Sequence, residues 1–473
     1  MSNTTTNKYK RLLKNIGMLL AGNFVTKILS FFMVPFYTSI LSTADYGTAD
    51  LISNTVLLVL PLFSLLMDEA VMRFTLDQTT DRKQVFTIAL TISTAGYLIA
   101  MCFSPIILLF DTLKSYYWFV VMYYIVSWIY NLVSNYVKGM DRLSLTTTAG
   151  IIHTFSYLGL NVFFLAVLQI GIYGYLLAIN LSNLIAIFFL VIVCKIYKNI
   201  ISIKRIDWEL AKQMVRYSLP MIPNYMLWWV NNASDKYILS MFFGAAANGV
   251  YSIAYKIPNL LNSVTSIFFS AWKISSVDNF GSNESIRFYD RVYAFYSALL
   301  MIVASGLIFF TKLLATILYA KDFFIAWTIT PILIFAYVFS SLAQQISSIF
   351  SASKQTKRIF YASMVGAIVN IILNFILIPL YKGHGAAIAT AIGYITIWTI
   401  NMINSRDIIK MNFNLIRIIP AGCILVIEIV AILSDSLMGY IVSAICVMLI
   451  MLINYREFIN IIKIIKMKAL HQK

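Results

Sequence analysis

The sequence predicts an all-α polytopic membrane protein with about fourteen transmembrane helices at roughly 20 apolar residues per span. Three observations carry that prediction. Of 473 residues, 60% are hydrophobic and only 12% charged, against about 25% charged in a soluble domain. Apolar runs recur along the whole chain, and mean hydropathy is +0.82. Lysine and arginine gather on alternate connecting segments, as the positive-inside rule requires.

Spans fall near 15–41, 48–72, 84–110, 115–137, 144–169 and 172–194. A polar basic segment, 195–211, follows. Further spans lie near 213–243, 248–272, 290–318, 325–350, 358–381, 384–404, 413–433 and 437–454. Of the 36 basic residues, 29 fall on one side of this arrangement. The other side holds only Lys114, Lys312, Lys321 and Lys382. Both termini are expected on the basic, cytoplasmic side. The Lys8–Lys14 region resembles the start of a secretory signal, but Ile16–Leu41 is too long for one and no A-x-A site follows, so it reads as a first helix. The net charge of +17 follows this topology and does not point to nucleic acid.

The basic segment divides the first twelve spans into two sixes: 1–194 as an N-lobe and 212–404 as a C-lobe, joined by 195–211. Two more spans occupy 405–454, and a basic tail covers 455–473. The tail reads either as an amphipathic helix on the anionic inner leaflet or as a frayed basic end. The halves look like repeats. Ser39-Ile-Leu-Ser-Thr-Ala-Asp-Tyr-Gly47 aligns with Ser240-Met-Phe-Phe-Gly-Ala-Ala-Ala-Asn-Gly249, and Gly171-Ile-Tyr-Gly174 with Lys382-Gly-His-Gly385. Parallel repeats of this kind place a substrate site at their interface.

Three lysines, Lys27, Lys236 and Lys256, sit inside spans. Each costs roughly 2.5–3.5 kcal/mol on the insertion scale, so a polar cavity or a partner is expected for each. Lys27 shares a helix face with Asn23 and Ser30. In the seventh span, Asn224, Trp228, Asn231 and Asp235 form a polar and aromatic stripe suited to a glycan. Hydrogen bonding between helices is the competing role. In the eighth span, Tyr255 and Asn259 lie on one face, bordered by Lys256, with Pro258 as a bend. Asp68, Glu69 and Glu428 are candidates for coupling transport to an ion; for Glu69 the alternative is an intrahelical pair with Arg73 at i, i+4.

No Walker A loop or nucleophile–base constellation stands out, so the chain reads as a transporter and not an enzyme, with no catalytic residue, cofactor or metal. Cys102, Cys194, Cys423 and Cys446 lack the spacing of a zinc site. Energy must come from an ion gradient, the membrane potential or downstream consumption of cargo.

The runs Ser218-Leu-Pro-Met-Ile-Pro-Asn224, Trp228-Trp-Val-Asn-Asn-Ala-Ser-Asp-Lys-Tyr-Ile238, Asn248-Gly-Val-Tyr251 and Ala254-Tyr-Lys-Ile-Pro258 resemble those of the Wzx-type polysaccharide repeat-unit flippases of the MOP exporter superfamily. So do Asn370-Ile-Ile-Leu-Asn-Phe-Ile-Leu-Ile-Pro379 and Gly383-His-Gly-Ala-Ala-Ile-Ala-Thr390. The resemblance implies two six-helix lobes in a MATE-like V with two further C-terminal helices. It implies a bacterial inner-membrane location and an undecaprenyl-pyrophosphate-linked oligosaccharide as cargo, for capsule or O-antigen synthesis. It also implies a cationic cavity, which Lys27, Lys236 and Lys256 can supply, with Arg73 as a candidate entrance residue. Implied partners are membrane lipids, a glycan polymerase with its chain-length regulator, and H+ or Na+ as coupling ion. A MATE-type drug/cation antiporter and a lipid II flippase are the nearest alternatives. A membrane glycan polymerase fits less well, because no substantial outside loop is present.

Overall fold

The computed structural model describes residues 29–77, 79–202, 205–262, 265–266, 268–269, 272 and 285–471. Among these, regular structure is entirely helical. Eleven of the described helices are long and apolar enough to cross a bilayer. Two of them, Trp208–Ala254 and Thr356–Ser405, run to 47 and 50 residues, about twice what a bilayer needs. The first is interrupted by a 3-10 turn at Leu219–Met221 and broken at Gly244 (φ 78°), and the second is broken at Lys382 (φ 51°). These breaks fall between the expected seventh and eighth spans and between the eleventh and twelfth, and the shorter apolar helix Leu29–Ile40 lies within the expected first span; of the eighth, expected over 248–272, part lies outside the described residues.

The packing divides the chain into two compact units, Met1–Ala233 and Ser234–Lys473. In the first unit, α1 (Val34–Ile40) is followed by α2 (Thr43–Ser64). Ser42 caps α2, its hydroxyl oxygen accepting from the Asp45 amide at 3.0 Å. The second span is not the single helix expected over 48–72. It breaks at Leu65 and Leu66, both left-handed (φ 51° and 52°), and restarts as α3 (Met67–Leu76). Then come α4 (Arg82–Phe103), α5 (Tyr117–Gly139), α6 (Leu143–Asn161) and α7 (Gly171–Val193).

The 195–211 segment is anchored by a few of its described residues. Ile196, Ile206 and Leu210 join Met67, Val71, Phe86, Ile88 and Tyr136 in one buried cluster. The segment leads into α8 (Trp208–Ser218), capped by Asp207, whose carboxylate accepts from the amides of Glu209 and Leu210. Leu210, Ala211, Met214 and Ser218 recur at helical spacing and form its buried face.

Helix α9 (Ile222–Ala254) carries the chain from the first unit into the second. The second unit continues with α10 (Ser285–Phe309), α11 (Thr311–Leu318), α12 (Thr330–Ala352), α13 (Thr356–Ser405), α14 (Leu415–Leu433) and α15 (Leu437–His471). The ninth span therefore ends at Phe309, not near 318, because the chain turns at Phe310 before α11. The tail after 454 continues α15 as helix through His471.

The paired turns behave alike. Gly171 and Lys382, the aligned first positions of the lower motif, both adopt positive φ, 56° and 51°. Three residues on, a Cβ on Gly174 would lie 2.7 Å from the Phe164 Cβ, and one on Gly385 would lie 2.2 Å from the Leu377 carbonyl oxygen. Both glycines are required by close approach of the preceding helix end.

Candidate functional site

Two polar clusters stand out in the apolar frame, one in each unit. In a bilayer such groups are retained only where partners or a cavity offset their cost.

In the second unit the centre is Asp235, 1% exposed. Its Oδ2 accepts hydrogen bonds from the hydroxyls of Tyr251 (2.6 Å), Tyr255 (3.1 Å) and Thr390 (3.2 Å). Its Oδ1 accepts from the Lys236 amide at 2.9 Å. The Lys236 ammonium lies 5.6 Å from the centroid of the Tyr255 ring, in cation–π range. Around Thr390 the network widens. Asn370 donates to Thr390 Oγ1 (3.4 Å), while Ser234 (3.4 Å) and Asn374 (3.0 Å) donate to Asn370 Oδ1. Asn374 Oδ1 is buried without a hydrogen-bond partner. Lys256 falls in the turn that ends α9, its amide donating to the Ile253 carbonyl at 2.9 Å. Asn259, exposed, accepts from the Tyr337 hydroxyl at 3.0 Å. Helix packing therefore brings Asp235, Lys236 and Tyr255 together with Tyr251, Thr390 and the Asn370–Asn374 pair. Of these partners, Thr390 is 155 positions away and carries no sequence signal linking it to Asp235.

Chemically, a buried carboxylate ringed by three hydroxyls can exchange a proton or hold a small hard cation, since hydroxyls can turn to present lone pairs. Among the described residues, no group of three or more His, Cys, Asp or Glu side chains forms a metal cluster.

In the first unit, the Leu65–Leu66 break sets Asp68 and Glu69 in the first turn of α3. Asp68 Oδ2 accepts from Asn135 Nδ2 at 3.2 Å, and Asn135 Oδ1 accepts from the Lys138 ammonium at 2.9 Å. Glu69 Oε1 accepts from the Tyr225 hydroxyl at 2.8 Å. Among the described residues no ion pair joins Glu69 to the exposed Arg73, so the i, i+4 alternative is not the one adopted. Lys138 and Tyr225 were not singled out by sequence; Lys138 reads there as one more inner-side cation.

The stripe on the first half of α9 is divided. Asn224 and Trp228 are exposed, while Asn231 turns its amide onto the Leu227 carbonyl at 2.8 Å in its own helix. The neighbouring Trp229, not Trp228, reaches across to α2, donating to the Asn54 carbonyl at 2.8 Å. Glu428 is fully buried on α14, accepting from Ser305 (2.7 Å) on α10 and Ser443 (3.2 Å) on α15. Lys27 and Asn23 lie outside the described residues.

The family model described as "Polysaccharide biosynthesis protein" matches residues 12–272, and the MatE model matches 220–376. An uncharacterized membrane protein of Methanocaldococcus jannaschii is 24% identical over 250 residues, half of this chain; the match spans 59% of that relative's length. Among solved structures, the lipid II flippase MurJ in an inward closed conformation is similar with a TM-score of 0.68 at 14% identity, covering 93% of this chain and 99% of that one. An inward-facing multidrug resistance MATE family transporter of the MOP superfamily gives 0.66 at 12% identity, covering 80% and 94%. A MOP superfamily transporter from Pyrococcus furiosus gives 0.55 at 14% identity, covering 84% and 95%. These likenesses establish the fold. With more than half of its length matched by the polysaccharide model, this multi-pass, all-helical chain belongs to the polysaccharide biosynthesis protein family.

Proposed function

We propose that the protein moves undecaprenyl-pyrophosphate-linked oligosaccharide repeat units across a bacterial inner membrane by alternating access of two six-span lobes. What supports this reading is the occurrence of Lys27, Lys236 and Lys256 in apolar stretches of the sequence, in a chain whose residues 12–272 match the polysaccharide family. A diphosphate headgroup cannot cross ~30 Å of hydrocarbon unaided. Ammonium groups are compact point charges suited to phosphate. Arg73 would meet the headgroup first. Asn23, Asn224, Trp228, Asn231, Tyr255 and Asn259 would offer hydrogen bonds and stacking to sugars, and the polyprenyl chain would stay in lipid. Asp68, Glu69, Glu428 and the buried Asp235 are the candidates for coupling to H+ or Na+.

The test is genetic and chemical. Removing the gene should cause a lipid-linked oligosaccharide to accumulate on the inner leaflet, identifiable by mass spectrometry. Lys27→Ala or Lys256→Ala should reproduce that block with protein still in the membrane. Full export by both variants overturns the cationic route.

The MatE match over 220–376 favours a second reading, a cation-coupled drug antiporter. Wild-type export of cationic dyes with no accumulated glycolipid on gene removal would establish it instead.

A further inference from the structure

The first unit contains a cavity that the transport reading leaves unused. It has a volume of 550 Å³ and lies where the start of α4, the end of α5, the α5–α6 turn and the end of α7 meet the 195–211 segment. The basic-residue asymmetry assigns this end to the inner side of the membrane. Arg82, Lys83 and Arg142 line it, together with Asn199 and Thr80. One carboxylate, Asp81, shares the lining, and it is engaged as the cap of α4, Oδ1 accepting from the Lys83 amide at 2.9 Å. Among the described residues no carboxylate forms an ion pair with any of the three cations.

The walls are held from several directions. The Tyr136 hydroxyl, on a side chain with 0% exposure, donates to the Arg82 carbonyl at 3.2 Å. Thr87 Oγ1 donates to the Asn199 carbonyl (3.4 Å) and accepts from the Ile201 amide (3.1 Å). Gln84 donates to the Arg205 carbonyl (2.8 Å) and accepts from the Asp207 amide (3.2 Å). Asp141 takes a left-handed conformation (φ 60°), which sets Arg142 at the head of α6, the Arg142 amide donating to the Val137 carbonyl at 3.2 Å. Two guanidinium groups and an ammonium thus line one hollow, Arg82 and Lys83 from the start of α4 and Arg142 from the head of α6. Guanidinium forks and ammonium groups together match phosphate oxygens.

We propose that this cavity binds a phosphate- or diphosphate-bearing anion at the inner membrane face, separate from the transported cargo. The shared chemistry admits two sources: the headgroup of an anionic inner-leaflet lipid, or a soluble phosphate compound.

The experiment uses the full-length protein in phosphatidylcholine nanodiscs. One arm titrates inorganic pyrophosphate by calorimetry. The other adds phosphatidylglycerol to the discs and counts retained lipids by native mass spectrometry. At least one probe should bind. Lys83→Gln and Arg142→Gln should each weaken it about tenfold, the worth of one charge-assisted contact. Arg142→Lys should keep part of the affinity. Lys357→Gln, an exposed lysine of the second unit, should change nothing. Binding of pyrophosphate alone assigns the site to a soluble anion, and retention of phosphatidylglycerol alone assigns it to a lipid headgroup. Failure of both probes, unchanged binding in Lys83→Gln, or equal loss in Lys357→Gln overturns the proposal. Lys83→Gln keeps the test open if Arg142→Gln does not fold.

Discussion

The Tyr251 hydroxyl donates to Asp235 across 2.6 Å, and the two side chains are 0% and 1% exposed. An acceptor this deep serves three hydroxyl donors at once, and its removal leaves the Tyr251 and Tyr255 hydroxyls only each other, 3.3 Å apart, to bond. Asp235→Ala should destabilise the protein by about 1–3 kcal/mol for each donor left unpaired. Asp235→Asn keeps the shape and one acceptor oxygen. It should leave the protein inserted and folded while abolishing export and any cation-dependent rise in melting temperature. Thermal melts with and without Na+, beside an export assay, measure both effects.

Glu428 is bridged to two helices by Ser305 and Ser443. Glu428→Gln keeps an acceptor for both serines and should change the melting temperature little. Glu428→Ala opens a cavity and strands two hydroxyls, at about 1–3 kcal/mol or more. If Glu428 carries the coupling proton, the Gln variant should flatten the pH dependence of transport. A wild-type pH profile removes Glu428 from coupling.

Helices α2 and α4 cross where Gly96 has no side chain. A Cβ there would lie 1.7 Å from the Phe63 carbonyl oxygen, part of the backbone. Gly96→Ala should therefore force the helices apart and cost about 1–3 kcal/mol or more. Gly150, inside α6, has nothing within 4 Å of an added Cβ. Gly150→Ala should be neutral or stabilise by about 0.5–1 kcal/mol through helix propensity. Melting temperatures of the pair, compared in one detergent, check both.

On the loop side, Lys312 and Asp435 pair at 2.5 Å, with side chains 30% and 44% exposed. The Asp435 carboxylate raises the Lys312 ammonium above the ordinary lysine range. A raised folded-state value means the contribution is complete at neutral pH and fades only as strongly alkaline solution titrates the folded lysine. For a partly exposed pair it amounts to about 0–1 kcal/mol, screened by salt. Lys312→Met should lower the melting temperature slightly at pH 7, and the difference from wild type should fade only as pH rises past the ordinary lysine value, about 10.4, and through the raised folded one.

The spans were legible because their apolar runs are long and their basic loops alternate. The turns at Gly171 and Lys382 were legible because two halves of one chain repeat the same punctuation. The break at Leu65–Leu66 was not, since leucine gives no local signal for a left-handed backbone. Nor were the partners of the charged residues. Glu69 and Arg73 have helical spacing, yet tertiary packing supplies Tyr225, 156 positions away. Asp235 reads as part of a polar stripe, but periodicity along one helix cannot reveal hydroxyls arriving from Thr390 on another. Lys138 was hidden by its neighbourhood, because a cation at an inner helix end is what topology already demands.

Two successive leucines with the wrong sign of φ cost roughly 1–2 kcal/mol apiece. Glycine at Leu65, the more accessible of the two, would refund that torsion, whereas proline would forbid it outright. The joint beside Asp68 is thus a dial for stiffness that an engineer can turn without altering a single charge.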